Sequence, residues 1–174
     1  ANLEVAAARA VARDDLEVAV AVVSAATLLK RGRSEGLADL ALGLLGRVPR
    51  ALRVRLALAT ARMSGRPSVA AGLRPHLLQL LDDADHATTA RLAYALSEID
   101  RMAGRRDEAL ERASLAVDLA RAAGDREAEL VALSLKVTFF PPRFEADIER
   151  GLALAREIGD GVWEQALLAS RAHG

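Results

Sequence analysis

Acidic and imidazole side chains crowd into one short segment, Asp82 to His86, with the sequence DDADH. Carboxylates and histidines are common metal ligands, so this is the cluster with metal-like character. It lies where one helical pattern ends and the next begins, and like charges on such a turn suit helix capping and solvation. We therefore interpret the segment as a cap rather than a metal site. The other histidines, His76 and His173, stand alone.

Three common motifs of catalytic and cofactor-binding sites are missing from the sequence. The motifs GxxxxGK[ST], GxGxxG and HExxH, which mark phosphate cradles, dinucleotide sites and zinc helices, do not occur. The sequence has no cysteine, which excludes disulfides, thiol catalysis and thiolate metal sites. We expect a non-enzymatic protein that needs no cofactor and no metal.

Arginines concentrate in one acid-free segment. From Leu40 to Leu81 the sequence has no acidic residue, whereas Asp82 to Glu129 holds twelve acidic residues and seven arginines. Guanidinium groups bind carboxylates and phosphates through paired donors, so the band would suit an acidic peptide or a phosphate-bearing partner. Its side chains could also cover apolar surface or pair with neighbouring repeats, which is the interpretation we favour. The band comprises Arg47, Arg50, Arg53, Arg55, Arg62, Arg66 and Arg74.

Composition predicts an all-α fold. Of the 174 residues, 52% are apolar but only 3% are aromatic, so the core must consist of Ala, Leu and Val, and Ala and Leu are strong helix formers. The length suits a single domain, 1–174. A net charge of zero argues against direct nucleic-acid binding, and the uncharged run from Val18 to Leu29 is too short to span a membrane. We expect a soluble, cytoplasmic protein.

Helix breakers recur at the intervals of a helical repeat. Gly32, Gly65 and Gly104 have matching contexts, at intervals of 33 and 39 residues. One helical pattern precedes each glycine and another follows it, which predicts stacked two-helix hairpins. Pro75 lies inside the fifth helix and is expected to kink or divide it. The ten predicted helices cover residues 3–13, 15–30, 34–47, 50–64, 68–83, 87–103, 106–123, 126–139, 143–158 and 161–173.

The segment 104–125, GRRDEALERASLAVDLARAAGD, shows the helical period most clearly. Its apolar residues form one stripe of a helix. On the other face, Glu108 and Arg112 have the spacing of a supportive ion pair. The stripe comprises Ala109, Leu110, Ala113, Ala116, Val117 and Ala120.

Two loop signals indicate how the hairpins turn. Gly124 is a natural helix stop and Asp125 suits the N-cap of the next helix, and the same pair recurs at Gly159 and Asp160. The segment 138–144, TFFPPRF, holds three of the five aromatic residues. It lacks the PxxP spacing of Pro-rich recognition segments, so we interpret it as a rigid elbow between repeats.

These features resemble the tetratricopeptide repeat (TPR) family. The family pattern places a turn Gly between two helices, small residues on the second helix and a Pro at its end. Gly32 to Pro49 has the length of that turn-to-Pro segment, and GRRDEAL from Gly104, with Ala116, matches the second-helix signature. Trp163 stands where the family's first-helix Trp belongs. The resemblance implies a right-handed α-solenoid of antiparallel helical hairpins.

The sequence departs from the family pattern in three ways. Val54 and Ala93 occupy the first-helix aromatic position, Pro141 replaces a turn Gly, and LARAAGD and LAREIGD carry helices beyond the usual Pro. The last two segments resemble the degenerate repeats of large bacterial regulators, namely ATP-binding LuxR-type activators and antibiotic-pathway regulators. No nucleotide-binding motif or DNA-binding helix-turn-helix can be identified in the 174 residues.

The origin of the chain also bears on this resemblance. It begins with Ala rather than Met, and its 22 arginines against two lysines are a bias of GC-rich genomes such as actinobacterial ones. We expect a fragment of a longer bacterial transcriptional regulator.

In the TPR family the first helix of each hairpin lines a concave groove, and the resemblance therefore implies a set of groove residues. Tyr94, Glu98 and Arg101 share one helical face, opposite the apolar residues of that helix. The helix at 50–64 is less regular, because its apolar residues alternate and lie on two faces. The alternative for all these side chains is a plain solvated face. The implied groove residues are Arg55, Arg62, Arg91, Tyr94, Glu98 and Arg101.

The sequence supports one leading hypothesis and two alternatives. The leading hypothesis is a non-catalytic scaffold that binds a protein or peptide segment, favouring an acidic one. The first alternative is a small-molecule sensor with an apolar pocket around Leu56, Leu58 and Met63. The second is a structural module that forms a homodimer through the open ends of the solenoid, where apolar stripes would lack a neighbour.

Overall fold

The computed structural model describes residues 3–28, 35–63, 65–82, 84–140 and 144–172. These residues form ten α-helices and no strand, so the predicted all-α fold is confirmed. The chain divides into two compact units, residues 1–82 and 83–174. Unit 1 contains α1 (Leu3–Ala12), α2 (Leu16–Leu28), α3 (Glu35–Leu45), α4 (Arg50–Ala61) and α5 (Pro67–Leu81), and unit 2 contains α6 (His86–Met102), α7 (Arg106–Ala122), α8 (Arg126–Phe139), α9 (Glu145–Ile158) and α10 (Gly161–Ala172).

The observed helix ends lie within about three residues of the predicted ones. The main difference concerns Pro75, because α5 runs through it as one helix and is not divided. The carbonyl that loses its partner belongs to Ala71, one turn earlier. Ala71 and Pro75 are both exposed, so water can hydrate this carbonyl. None of the helices within the described ranges combines the length and the apolar character that a membrane span requires.

In unit 1 the helices alternate between two rows. Helix α2 packs against α4, while α3 packs against both α1 and α5. Each helix also contacts its successor, which is the contact pattern of stacked helical hairpins. The buried apolar side chains of this unit are all Ala, Val or Leu, as the composition predicts, and they include Ala7, Ala10, Val20, Val23, Leu37, Leu44, Leu56, Leu73 and Leu77.

Unit 2 repeats this alternation with longer helices. Helix α8 packs against α6 and α10 and forms one row with them. Helix α7 contacts α6 and α8, and α9 contacts α8 and α10. The predicted stripe of α7 is buried except for Leu110, which is half-buried. Phe140, just after α8, packs against Ala109 and Ala113 of α7. Trp163 of α10 is half-buried against a second apolar cluster of the same unit.

Four hairpin turns share one backbone geometry. Gly104, Gly124 and Gly159 have φ angles of 75°, 68° and 79°, in the left-handed region that favours glycine. Asp14 takes the same place between α1 and α2, with φ of 57°. In each turn the next amide donates to the carbonyl five residues back, which is the Schellman hydrogen bond. This bond ends one helix while leaving a single residue before the next.

At three of these turns the residue after the left-handed position caps the following helix, whereas Arg105, after Gly104, makes no side-chain cap bond. Asp125 accepts a hydrogen bond from the Ala128 amide, and Asp160 accepts one from the Trp163 amide, each at 3.1 Å. The predicted role of the Gly-Asp pairs is therefore confirmed. Asp15 caps α2 in the same way. The sequence pattern did not identify this turn, because Asp14 takes the place of the glycine.

Candidate functional site

Helix α4 provides two of the six predicted groove residues, Arg55 and Arg62. It begins at Arg50, directly after Pro49, and buries the face that carries Leu56. Arg55 lies on an exposed face. Arg62 follows the helix with right-handed backbone angles (φ −67°, ψ −15°), so it continues the same spiral. Seven residues make about two turns, so both guanidinium groups leave one side of the helix, about 10 Å apart along the axis.

The two arginines belong to a face with spacings of four, three and four residues, which we call the α4 stripe (Ala51, Arg55, Leu58 and Arg62). Ala51, at one end of the stripe, is exposed, and the half-buried Leu58 lies between the two charges. Neither guanidinium group makes a hydrogen bond or an ion pair within the part of the chain that the structure describes. Their charges therefore remain available to a partner.

The other five arginines of the basic band make contacts within the protein. Arg66 and Arg74 are half-buried and interact with other groups. These contacts agree with the interpretation of the band as framework and set Arg55 and Arg62 apart from it. Three further members have defined polar contacts: Arg47 with Asp14 at 3.3 Å, Arg50 with the carbonyl of Leu80 at 3.3 Å, and Arg53 with the carbonyl of Val48 at 3.2 Å.

The four predicted groove residues of α6 are engaged within unit 2. Arg91 pairs with Asp125 at 2.6 Å. Arg101 pairs with Glu98 at 3.2 Å, and its guanidinium group lies 4.0 Å from the centre of the Phe139 ring. Tyr94 is half-buried against both apolar clusters of the unit. Arg91 and Arg101 thereby connect α6 to residues at the two ends of α8.

Two buried carboxylates were not singled out by the sequence patterns. Asp100 of α6 is 0% exposed and accepts hydrogen bonds from Arg105 at 2.7 Å and Arg112 at 2.8 Å. The predicted pair of Arg112 with Glu108 is therefore wrong. An unpaired charge costs more free energy on a buried carboxylate than on an exposed one, so Arg112 binds Asp100. The available signal was position, since Asp100 lies on the apolar stripe of α6.

Glu129, in the first turn of α8, is 2% exposed and binds two arginines. Arg121 donates to it at 2.9 Å, and Arg150 donates through two nitrogens at 3.0 and 2.9 Å. Burial by itself would raise the pKa of Glu129, but the hydrogen bonds from Arg150 and Arg121 and their charges outweigh it and hold the pKa below its usual 4.5. This carboxylate thereby joins α7, α8 and α9.

The acidic segment before α6 serves as a cap. Asp85 accepts hydrogen bonds from the Thr88 amide at 2.8 Å and from the Thr88 hydroxyl at 3.1 Å. The Thr88 amide is the main cause of the lowered pKa of Asp85. The capping interpretation is confirmed for this residue, while Asp83 and His173 lie outside the described residues. The described ranges contain no group of three or more side chains that could hold a metal ion.

The segment 32–36, GRSEG, matches the GxSxG spacing of a hydrolase nucleophile elbow, a motif that our sequence analysis did not identify. Ser34 lies outside the described residues. The elbow requires a strand before the serine. Here helix α2 is the preceding element, and no strand occurs in the described ranges. Residues 29–34, where that strand would lie, are outside the described ranges.

The alternative apolar pocket was predicted around three residues of the α4 region. Leu56 is buried, whereas Leu58 and Met63 are half-buried.

The predicted elbow after α8 is described only in part. Phe140 is buried, Phe139 is exposed, and residues 141–143 lie outside the described ranges.

Comparison with known proteins finds no matching family model, no similar curated protein and no similar solved structure. The functional argument therefore depends on the two helices α4 and α6 and on the different states of their charged side chains.

Proposed function

We propose that the chain is a non-catalytic helical-repeat scaffold of the TPR type, and that its α4 stripe binds an acidic segment of a partner protein. The observation that carries the proposal is the state of Arg55 and Arg62, which are exposed and have no partner among the described residues. Both stand in a stretch of 42 residues, 40–81, that contains no acidic side chain. An acidic partner would supply the counter-charges that this stretch lacks.

The spacing of the two arginines defines the partner. Carboxylates about 10 Å apart, such as two Glu side chains seven residues apart on a helix, would meet both guanidinium groups at once. An apolar side chain between them would lie against Leu58. Exposed ion pairs stabilise a contact by about 0.2–1 kcal/mol each, so the complex should be weak and sensitive to salt.

The proposal is tested by fluorescence anisotropy with labelled helical peptides. A peptide with two Glu residues seven positions apart and a Leu between them should bind, and its Lys-for-Glu counterpart should not. The double variant Arg55→Glu/Arg62→Glu should weaken binding about tenfold or more, which corresponds to about 1.4 kcal/mol. Equal binding of both peptides, or binding that the double variant leaves unchanged, would overturn the proposal.

The matched control is Arg9→Glu/Arg13→Glu. These two arginines also lie in unit 1, are exposed and have no partner among the described residues, but they lie in and after α1. The control makes the same change in net charge, so it separates a local site on α4 from a general attraction of acidic peptides to unit 1.

We also propose that the scaffold is the interaction or sensing part of a bacterial transcriptional regulator. The support is the style of the repeats, in which LARAAGD and LAREIGD lead directly into another helix. The flanking gene sequence tests this proposal. A nucleotide-binding domain upstream and a helix-turn-helix downstream are expected, and flanks with neither would contradict it.

A further inference from the structure

Helix α7 has an exposed face that mirrors the α4 stripe. We call it the α7 stripe (Glu111, Leu115, Asp118 and Ala122). Glu111 and Asp118 are exposed and have no side-chain partner among the described residues. Leu115, between them, is 43% exposed, although the stripe on the opposite side of the helix is buried. An exposed leucine between two unpaired carboxylates is complementary to the α4 stripe, in which a leucine lies between two unpaired arginines.

The two stripes match residue by residue when the helices run antiparallel. Both have spacings of four, three and four residues, the spacing of coiled-coil seams. In the parallel direction each arginine would face a leucine or an alanine. The antiparallel pairs are Ala51 with Ala122, Arg55 with Asp118, Leu58 with Leu115, and Arg62 with Glu111.

We infer that the acidic segment bound by the α4 stripe is the α7 stripe of a second copy of this chain. The inference rests on the proposed function, since it names the partner of the same site. The contact forms two ion pairs, Arg55 with Asp118 of the second copy and Arg62 with Glu111 of the second copy. The two leucines pack between them, and the paired alanines let the helices approach closely at one end.

The wider charge distribution favours the same contact. Residues 1–82 carry twelve basic and seven acidic side chains, whereas residues 83–174 carry twelve basic and seventeen acidic ones. Unit 1 of one copy and unit 2 of another therefore attract each other before the stripes meet.

The test is sedimentation equilibrium of the full 174-residue chain over a concentration series. Wild-type protein should self-associate, and raising the salt from about 50 to 500 mM should weaken the association. Arg55→Glu/Arg62→Glu and Glu111→Arg/Asp118→Arg should each weaken it about tenfold or more. An equimolar mixture of the two variants should associate again, because the mixture contains one wild-type pair of stripes and one fully reversed pair.

Arg9→Glu/Arg13→Glu is the control that should associate as wild type does. Wild-type protein that stays monomeric at the highest concentration, association unaffected by salt, or a mixture of folded variants that stays monomeric would each overturn the inference. If the wild type is monomeric but binds the acidic peptide through the α4 stripe, the second-copy inference fails and the proposed function stands. If it does neither, both fail.

Discussion

Helices α4 and α6 hold the six side chains that one repeat pattern selected, yet the two helices use them differently. On α6, Arg91 pairs with Asp125, and Arg101 contacts both Glu98 and Phe139. On α4, the two selected arginines have no such partner among the described residues. The predicted groove residues of α6 are therefore engaged in contacts within unit 2, whereas those of α4 have unpaired charges among the described residues.

The difference follows from the local supply of carboxylates. Unit 2 has more acidic than basic side chains, and four of its arginines bind the buried Asp100 and Glu129. The α4 stripe stands in a stretch without acidic side chains, and its two arginines have no counter-charge among the described residues. A charged residue at a groove position is thus a binding candidate only when its own unit leaves it unpaired.

The largest expected effect comes from removing the buried carboxylate of unit 2. Glu129→Gln keeps the shape but removes the negative charge that Arg121 and Arg150 share, and it should lower the free energy of unfolding by about 2 kcal/mol. Denaturant unfolding measures this. Glu127→Gln, an exposed neighbour on the same helix, is the control and should change the value by less than about 0.5 kcal/mol. Equal effects of the two variants would refute the framework role of Glu129.

The same carboxylate makes unit 2 sensitive to acid. The pKa of Glu129 is lowered in the folded protein, so its contribution is complete above its usual value of 4.5 and is lost as the pH falls through the lower, folded-state value. The stability difference between wild type and Glu129→Gln should therefore shrink as the pH is lowered from 6 towards about 3. A difference that stays constant over this range would show that Arg121 and Arg150 do not stabilise the charged form.

The hairpin turns give a smaller contrast between the units. Gly124→Ala puts a side chain at a φ of 68° and should cost about 1–2 kcal/mol. Asp14→Gly, at the equivalent turn of unit 1, removes left-handed strain but also the exposed pair with Arg47, so the net change should be under about 0.5 kcal/mol. Thermal unfolding compares the two variants. A larger cost for Asp14→Gly than for Gly124→Ala would contradict the shared turn geometry.

The smallest expected effect distinguishes the two helices directly. Arg101→Gln loses the stacking on Phe139 and the pair with Glu98, and should destabilise the protein by about 1 kcal/mol. Arg62→Gln breaks no contact within the described residues and should change stability by less than about 0.5 kcal/mol. Matched denaturant titrations compare the pair, and a cost at Arg62 equal to that at Arg101 would remove the distinction.

The sequence predicted the helices well because their ends depend on local chemistry. Left-handed glycines, aspartate caps and a clear helical period act within a few residues of each boundary, as at Gly124 and Asp125. Pro75 does not divide α5, because whether a proline ends a helix depends on whether the freed carbonyl reaches water, which is a property of the packed helix.

The sequence did not reveal which charged residues would be free. Arg112 was assigned to Glu108 one turn away, but it binds Asp100, twelve residues away. Arg150 binds Glu129, which is 21 residues away. Such pairs depend on how hairpins stack, so the repeat pattern located the candidate residues without separating Arg55 and Arg62 from Arg91 and Arg101.

The most direct measurement of the central claim is the titration of a labelled acidic helical peptide against wild type, Arg55→Glu/Arg62→Glu and Arg9→Glu/Arg13→Glu. The free charges of α4 predict that only the first double variant loses affinity, by about tenfold or more, while all three proteins stay folded. Equal affinity of all three proteins, or an equal loss in both variants, would contradict a binding role for the α4 stripe.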